Sequence, residues 1–355
     1  MRVAFILPSL ANRGPIIFTQ YLLNDLCNFQ VDIEVFYFNE IKNNILDLGF
    51  KSHKISKFIK YDFSSFDIVH TTMAIPDLYA SIFVPKNKWV CSMHNYLIED
   101  VQMSHSFLKS KLITFLWKNS IKKCKNIIVS SQQMALYYKK LLKKRSINYH
   151  LISYGIYEKD YTEVIDSDLN VINSFKSRNL KIIGSVGLLI QRKGFSQLLN
   201  LVKEHDDLAA IIVGEGNDFE NLKKQIDLLG IKDRVYLPGF RNNSHNFYKY
   251  FDFYGHVSYS EGFGLAMLEA MSKKLPIICS KLEIYEDYFT DDNVSFFIPG
   301  DFSSLNDSYL RILQNKDHYS RKSYELFKNF FDVKNMSKKH FDVYTNICKE
   351  SHLSN

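Results

Sequence analysis

The segment Ser258-Tyr259-Ser260-Glu261-Gly262-Phe263-Gly264-Leu265-Ala266-Met267-Leu268-Glu269-Ala270-Met271 decides how this chain is read. An apolar run at 253–257 gives way to hydroxyl residues, two glycines follow, and an apolar helical pattern starts near Leu265. A strand that passes into a helix through such a loop leaves the first N–H groups of the helix pointing off the sheet, where they suit a phosphate. Glu269 falls about one turn into that helix, among Met267, Leu268, Ala270 and Met271. An ionised carboxylate in that setting needs a hydrogen-bond donor, and a sugar diol is one. The competing reading is an ordinary glycine turn whose glutamate reaches solvent.

Working outward, strand candidates at 181–186, 208–213, 234–237, 276–279 and 294–298 alternate with helical patterns at βαβ intervals. An earlier series at 3–7, 33–38, 68–71, 89–93, 127–130 and 149–152 shows the same alternation, with a helical stretch at 18–26. The 355 residues exceed what one core usually organises. The expected fold class is α/β, with two Rossmann-like doubly wound domains at 1–165 and 166–335. The polar stretch 158–180 reads as the linker, and a terminal helix near 336–350 is expected to pack back onto the first domain.

The net charge of +7 is local. Residues 101–157 hold ten Lys, one Arg and no Asp or Glu, which leaves 34 basic and 38 acidic residues elsewhere. Such asymmetry asks for an anionic partner. Within it, Leu108, Leu112 and Leu116 recur at helical spacing over 106–125, with Lys111, Lys118, Lys122 and Lys125 on another face. A helix of that kind lies on anionic lipid; alternatively its leucines and Trp117 face the core and the lysines are merely solvated. A second cluster, Lys139, Lys140, Lys143, Lys144 and Arg145, follows a helix-like stretch at 135–142. No recognition motif accompanies the charge, which excludes nucleic acid from the expected partners. The five cysteines are widely spaced without any Cys-x-x-Cys pair, and the opening apolar run stops at Pro8, so a reducing cytoplasmic setting is expected.

The pattern Glu261-x7-Glu269 resembles the signature of retaining glycosyltransferase family four (glycosyl transferases group 1), which has the GT-B fold of two Rossmann-like domains facing a central cleft. Gly184-Ser185-Val186-Gly187 followed by Lys193-Gly194-Phe195 resembles that family's first C-domain strand and lysine loop, and residues 233–240 and 276–280 resemble later strands. In the N-terminal half, Arg13-Gly14-Pro15 sits where the family has a glycine-rich loop, and His94-Asn95 resembles its strand-end histidine.

The resemblance implies an enzyme of the hexosyltransferase class. It would move a sugar from a nucleoside-diphosphate sugar, with a UDP-sugar favoured, to a glycan or lipid-linked acceptor of bacterial surface polysaccharide or glycolipid synthesis. Glu261, His94 and Lys193 become the catalytic candidates: Glu261 on the sugar hydroxyls, Lys193 on the diphosphate, His94 on the sugar from the other side. Donor binding would fall to Gly14, Gly187, Arg192, Lys193, Gly239, Phe240, Glu261, Gly262, Phe263, Gly264, Leu265 and Glu269, the last on the ribose hydroxyls. Lys109, Lys111, Lys118, Lys122, Lys123 and Lys125 would face the acceptor and an anionic membrane, with the protein peripheral on its inner face. No cofactor and no metal are implied, and Asp166-Ser167-Asp168 reads as chance.

One departure stands out: the family usually has an arginine five residues before the lysine, where this chain has Leu188, and Arg192 is the nearest substitute. Two other classes stay open, a nucleotide-sugar epimerase or hydrolase of the same architecture and a non-catalytic, membrane-associated sugar-nucleotide-binding adaptor.

Overall fold

In a computed structural model, which describes residues 1–12, 14–41, 45–104 and 106–353, the chain divides into two units, Met1–Tyr157 with Phe330–Asn355, and Glu158–Asn329. The first unit runs β1 (Arg2–Ser9), α1 (Gly14–Leu26), β2 (Asp32–Asn39), β3 (Ser52–Lys54), β4 (Ile68–Thr72), α2 (Ala74–Phe83), β5 (Trp89–Met93), α3 (Leu97–Ser104), α4 (Phe107–Ile121), β6 (Asn126–Val129), α5 (Gln132–Leu142) and β7 (Asn148–Leu151). Its strands form a sheet in the order β3-β2-β1-β4-β5-β6-β7, parallel throughout. Helices cover both faces of such a sheet, so β4, β5 and β6 are buried along their whole length and read as continuous strands in the sequence.

The second unit runs α6 (Asp166–Ser177), β8 (Lys181–Val186), α7 (Ser196–Glu204), β9 (Leu208–Val213), α8 (Phe219–Leu229), β10 (Val235–Gly239), β11 (Phe253–His256), α9 (Leu265–Ser272), β12 (Ile277–Ser280), β13 (Ser295–Phe297), α10 (Phe302–Gln314) and α11 (Lys316–Leu326). Its sheet order is β10-β9-β8-β11-β12-β13, again parallel. The last helix, α12 (Val333–Leu353), belongs to the first unit, where it packs on α1.

The structure departs from the sequence reading in several places. Residues 158–165 belong to the second unit and 330–335 to the first. The stretch read as a linker contains α6, because Asp168, Ile172 and Phe175 recur at helical spacing and are buried. On this helix Asp168 accepts from Tyr236 (2.7 Å) and from Arg241 Nε (2.8 Å) and Nη2 (2.7 Å). Helix α1 begins at Gly14, four residues before the predicted start. The short edge strand β3 has no counterpart among the expected strands, since Ser52-His53-Lys54 is polar; its place is set by His53, which stacks on Phe36 and meets Glu34 at 2.6 Å.

The core of the first unit holds an unusual number of polar groups. His70 lies 2.5 Å from the Tyr344 hydroxyl and 2.7 Å from Ser92, and its ring stacks on His340 at 5.9 Å. Burial drives His340 and His94 down to about 4 and His70 well below its usual value, so all three are neutral. Asp77 is fully buried, accepts from Thr71 (2.5 Å) and Trp117 (2.7 Å), and burial pushes it up to about 7 against those hydrogen bonds.

These shifts carry opposite signs of pH dependence. The unfolded chain binds protons to the histidines below about 6.5 while the folded one does not, so their contribution to stability is lost as pH falls from about 6.5 towards 4. Asp77 acts in reverse between about 4 and 7, and is outnumbered. The urea midpoint is therefore expected to drop across that range. In His340→Gln, the protons taken up on unfolding at about pH 5 should fall by about one.

Candidate active site

In the second sheet the strand order reverses between β8 and β11, and ligands of open α/β sheets collect beyond the strand ends at such a point. Two loops meet there. Gly187 leaves β8, its N–H bonded to the Val213 carbonyl at 3.0 Å, and the chain turns through Gln191–Lys193 to Gly194. Gly194 is obligatory: its φ is +65°, and a Cβ would sit 2.2 Å from the Val257 carbonyl oxygen. The other loop leaves β11, and the two are tied by the Tyr259 N–H donating to the Arg192 carbonyl (2.8 Å) and by Arg192 Nη1 donating to the Ser260 carbonyl (2.6 Å).

Glu261 stands where they join. Its side chain is 4% exposed, and Oε1 accepts from Lys193 Nζ (2.6 Å) and Ser258 Oγ (2.6 Å), while Arg192 Nη1 lies 3.9 Å from Oε2. Burial alone would raise its pKa; the Lys193 ammonium and the hydrogen bonds from Lys193 and Ser258 outweigh it and hold the carboxyl down to about 2. Below it, His256 Nε2 lies 2.6 Å from the Tyr285 hydroxyl, which donates onward to the Phe263 carbonyl at 2.8 Å. The hydroxyl proton is thus used, and His256 is the donor to the Tyr285 oxygen. Burial brings His256 to about 4, so it is neutral.

Gly264 starts α9 at φ +95°, where a Cβ would meet His256 Cε1 at 2.7 Å. Only glycine lets the chain turn this tightly over the histidine. Gly262 and Leu265 are half-buried and Phe263 is buried, its ring edge-on to Tyr285. Glu269, half-buried on α9, has its Oε2 3.0 Å from the Tyr248 hydroxyl, which also lies 2.9 Å from the Ala266 carbonyl. Gly239 ends β10 at φ +80° beside the partly exposed Phe240. Leu188 points outward at 57% exposure, while Arg192 is the guanidinium beside Lys193.

Lys193, Arg192, Glu261 and the loop 262–265 are thus brought together within one unit, with Gly187 at the end of the neighbouring strand. Sequence reasoning misses Ser258, His256, Tyr285 and Tyr248. The first two flank a quoted strand end, but the tyrosines reach the site from other segments. Two candidates lie in the first unit. Gly14 opens α1 with nothing within 4 Å of where a Cβ would be; Arg13 beside it lies outside the described residues. His94 follows β5, its Nδ1 2.7 Å from the Tyr154 hydroxyl and its buried Nε2 without a hydrogen-bond partner. Among the described residues, no group of three or more His, Cys, Asp and Glu has a metal-holding arrangement.

The lysines sit on and after α4. Lys109, Lys111, Lys123 and Lys125 are exposed, and Lys118 and Lys122 half-buried. The reading in which the leucines of this helix face the core is corrected: Phe107, Leu108, Leu112, Phe115 and Leu116 are all exposed. Ser110, Ser120 and Ile121 are buried instead, and Trp117 is held by Asp77. Small serines let α4 lie close to α2 and α3, so its bulky stripe faces out.

Replacing Lys193 with alanine would leave the Glu261 carboxylate buried without its main partner. A loss of about 3 kcal/mol in unfolding free energy at neutral pH is expected. Because the wild-type contribution itself disappears as pH falls from about 4.5 towards 2, the gap should narrow in acid. Chemical denaturation at several pH values measures both.

Residues 166–328 match the family described as glycosyl transferases group 1. Along 99% of both chains, the sequence is 26% identical to the O-antigen biosynthesis glycosyltransferase WclY of Escherichia coli. A shorter stretch of 102 residues, 29% of this chain and 30% of the other, is 31% identical to the lipopolysaccharide core biosynthesis glycosyltransferase LpsD of Rhizobium meliloti. Among solved structures, Anabaena HepE in complex with UDP and glucose superimposes with a TM-score of 0.81 at 16% identity, over 98% of this chain and 100% of that one. Taken with the switch-point site built on Glu261 and Lys193, these likenesses identify the chain as a GT-B glycosyltransferase whose residues 166–328 carry the group 1 sequence.

Proposed function

We propose that this enzyme transfers a sugar, with retention of anomeric configuration, from a UDP-sugar to a glycan or lipid-linked acceptor in the synthesis of a bacterial surface polysaccharide. The observation that carries the reading is the Lys193–Glu261 pair, with Arg192 alongside, at the start of α9. Two cations next to the first N–H groups of a helix suit a diphosphate, and they stabilise the charge that develops as it departs. Arg192 takes the place left by Leu188.

Glu261 accepts from the donor sugar's hydroxyls, and Glu269, steadied by Tyr248, accepts from the ribose diol with its two carboxylate oxygens. Backbone of Gly187 and of 262–265 lines the diphosphate and sugar, and Gly239 with Phe240 lies along the base. In the reaction, the bond from the anomeric carbon to the diphosphate oxygen breaks and one to the acceptor oxygen forms. The acceptor's proton passes to the departing diphosphate. The electrostatic work falls to lysine, arginine and helix terminus, and the reading calls on no cofactor or metal ion. On the first unit, Gly14 and His94 remain the groups assigned to meet the substrate. The choice of UDP and of surface polysaccharide is supported by the ligands of HepE and by the role in WclY's name.

The same reading puts α4 on an anionic leaflet at the inner face of the cell membrane. No helix among the described residues is long and apolar enough to cross one. Exposed Phe107, Leu112 and Phe115 would enter the headgroup layer while Lys109, Lys111, Lys118, Lys122, Lys123 and Lys125 meet its charge, at about 1 kcal/mol per lysine near the surface.

Two experiments test this. Wild-type protein melted with a panel of nucleoside-diphosphate sugars should gain about 2.7 kcal/mol at a hundred times Kd of its donor. Glu269→Ala should unfold cooperatively, yet lose at least about a hundredfold in kcat/KM. Full activity in that variant sinks the assignment, and donor turnover that never needs an acceptor would point to a hydrolase or epimerase. For the membrane face, sedimentation with phosphatidylglycerol vesicles should exceed that with phosphatidylcholine vesicles. The excess should fall with added salt and be lost in a Leu112→Ser, Phe115→Ser double variant; equal sedimentation with both lipids counts against it.

A further inference from the structure

The loop that follows β10 is braced from outside the sheet. Arg241 Nε and Nη2 donate to the two oxygens of Asp168 at 2.8 and 2.7 Å, and the remaining Nη1 donates to the carbonyls of Pro238 (2.6 Å) and Phe240 (3.1 Å). Asp168 is 0% exposed and is held from a third side by the Tyr236 hydroxyl at 2.7 Å. Between the two braced carbonyls, the Gly239 carbonyl accepts from the Gly214 N–H at 3.0 Å. Three successive carbonyls are therefore engaged at a point where the β10–β9 register shifts and Gly239 takes a left-handed φ of +80°.

Irregular backbone of this sort costs free energy and persists only where its surroundings impose it. A buried carboxylate is a costly way to hold a surface loop unless the loop's conformation matters, since apolar residues of similar volume often stabilise as well. The braced segment also borders free space. Phe240, Arg241, Asn242 and Asn243 line a cavity of about 340 Å³ together with Val164, Ile165 and Asp168.

We propose that Asp168 and Arg241 are positioning residues for the donor's nucleobase: the carboxylate orients the guanidinium, and the guanidinium fixes the Pro238–Phe240 backbone against which the base lies. The inference rests on the donor reading above, which assigns that backbone to the base. The pair touches neither sugar nor diphosphate; it acts through the loop, and what it sets is discrimination between bases. A planar fork is needed, because a lysine ammonium at position 241 cannot serve both carboxylate oxygens and two carbonyls from one atom.

The test is calorimetric titration of the full chain with UDP, GDP, ADP and CDP, for wild type, Asp168→Asn and Arg241→Lys, with a thermal melt of each. Wild type should prefer one base, and in both variants the ratio of the best Kd to the next should shrink about tenfold, the size expected for loosening a charge-assisted hydrogen bond. A purely structural pair would lower the melting temperature and leave that ratio unchanged, which would overturn the inference while the donor reading stands. If Asp168→Asn does not fold, Arg241→Lys, which keeps the charge, decides by the same ratio. A wild type that binds all four alike overturns the inference as well, and one that binds none overturns the donor reading with it.

Discussion

A single buried carboxylate organises the candidate site in the second unit of this molecule. Glu261 keeps its charge with almost no contact with water, which is tolerable only because Lys193 and Ser258 both donate to one of its oxygens and Arg192 stands near the other. Those partners come from two separate loops, so satisfying the charge fixes how the β8 loop lies against the β11 loop. The glycines follow from that closeness. Gly194 passes under the Val257 carbonyl and Gly264 over His256, and at each a side chain would collide. The same arrangement collects two cations, Lys193 and Arg192, beside the loop that leads into α9.

The first unit manages polarity in the opposite way. Burial holds its interior histidines neutral and pushes Asp77 up to about 7, while many of its positive charges lie at the surface around α4 and α5. Asp77 links the two arrangements, since it accepts from Trp117 and so ties the basic helix to the start of α2 and, through Thr71, to β4. A helix whose serines face inward and whose phenylalanines and leucines face outward is unusual for a water-facing surface. With ten lysines and an arginine in the surrounding window and no acidic residue, it is the element on which the proposed membrane contact rests.

Much of this architecture is legible in the order of residues alone. Runs such as those of β5 and β9 are buried on both sides, so they announce themselves without reference to neighbours. Glu261 and Glu269, eight residues apart across a glycine loop, mark the site. Other features give no such signal. The pattern at α4 shows a helix with two faces, yet which face is inside depends on whether serine or leucine meets α2 and α3. Asp168 looks incidental in the linear sequence because its partners, Tyr236 and Arg241, lie 68 and 73 residues away. Tyr248 reaches Glu269 from a segment between strands whose own pattern says nothing about a carboxylate.

What the sequence determined by itself was therefore everything carried by short-range order: the alternation of strand and helix, the α/β class, the loop-helix motif and the place of the charge. Hydrophobic periodicity and glycine loops act over a few residues, so they survive in a linear reading. The tertiary structure decided which polar groups neutralise one another, which helix face meets water and where the chain passes from one unit to the other. Those outcomes depend on burial, and burial is a property of neighbours that the chain brings together only by folding.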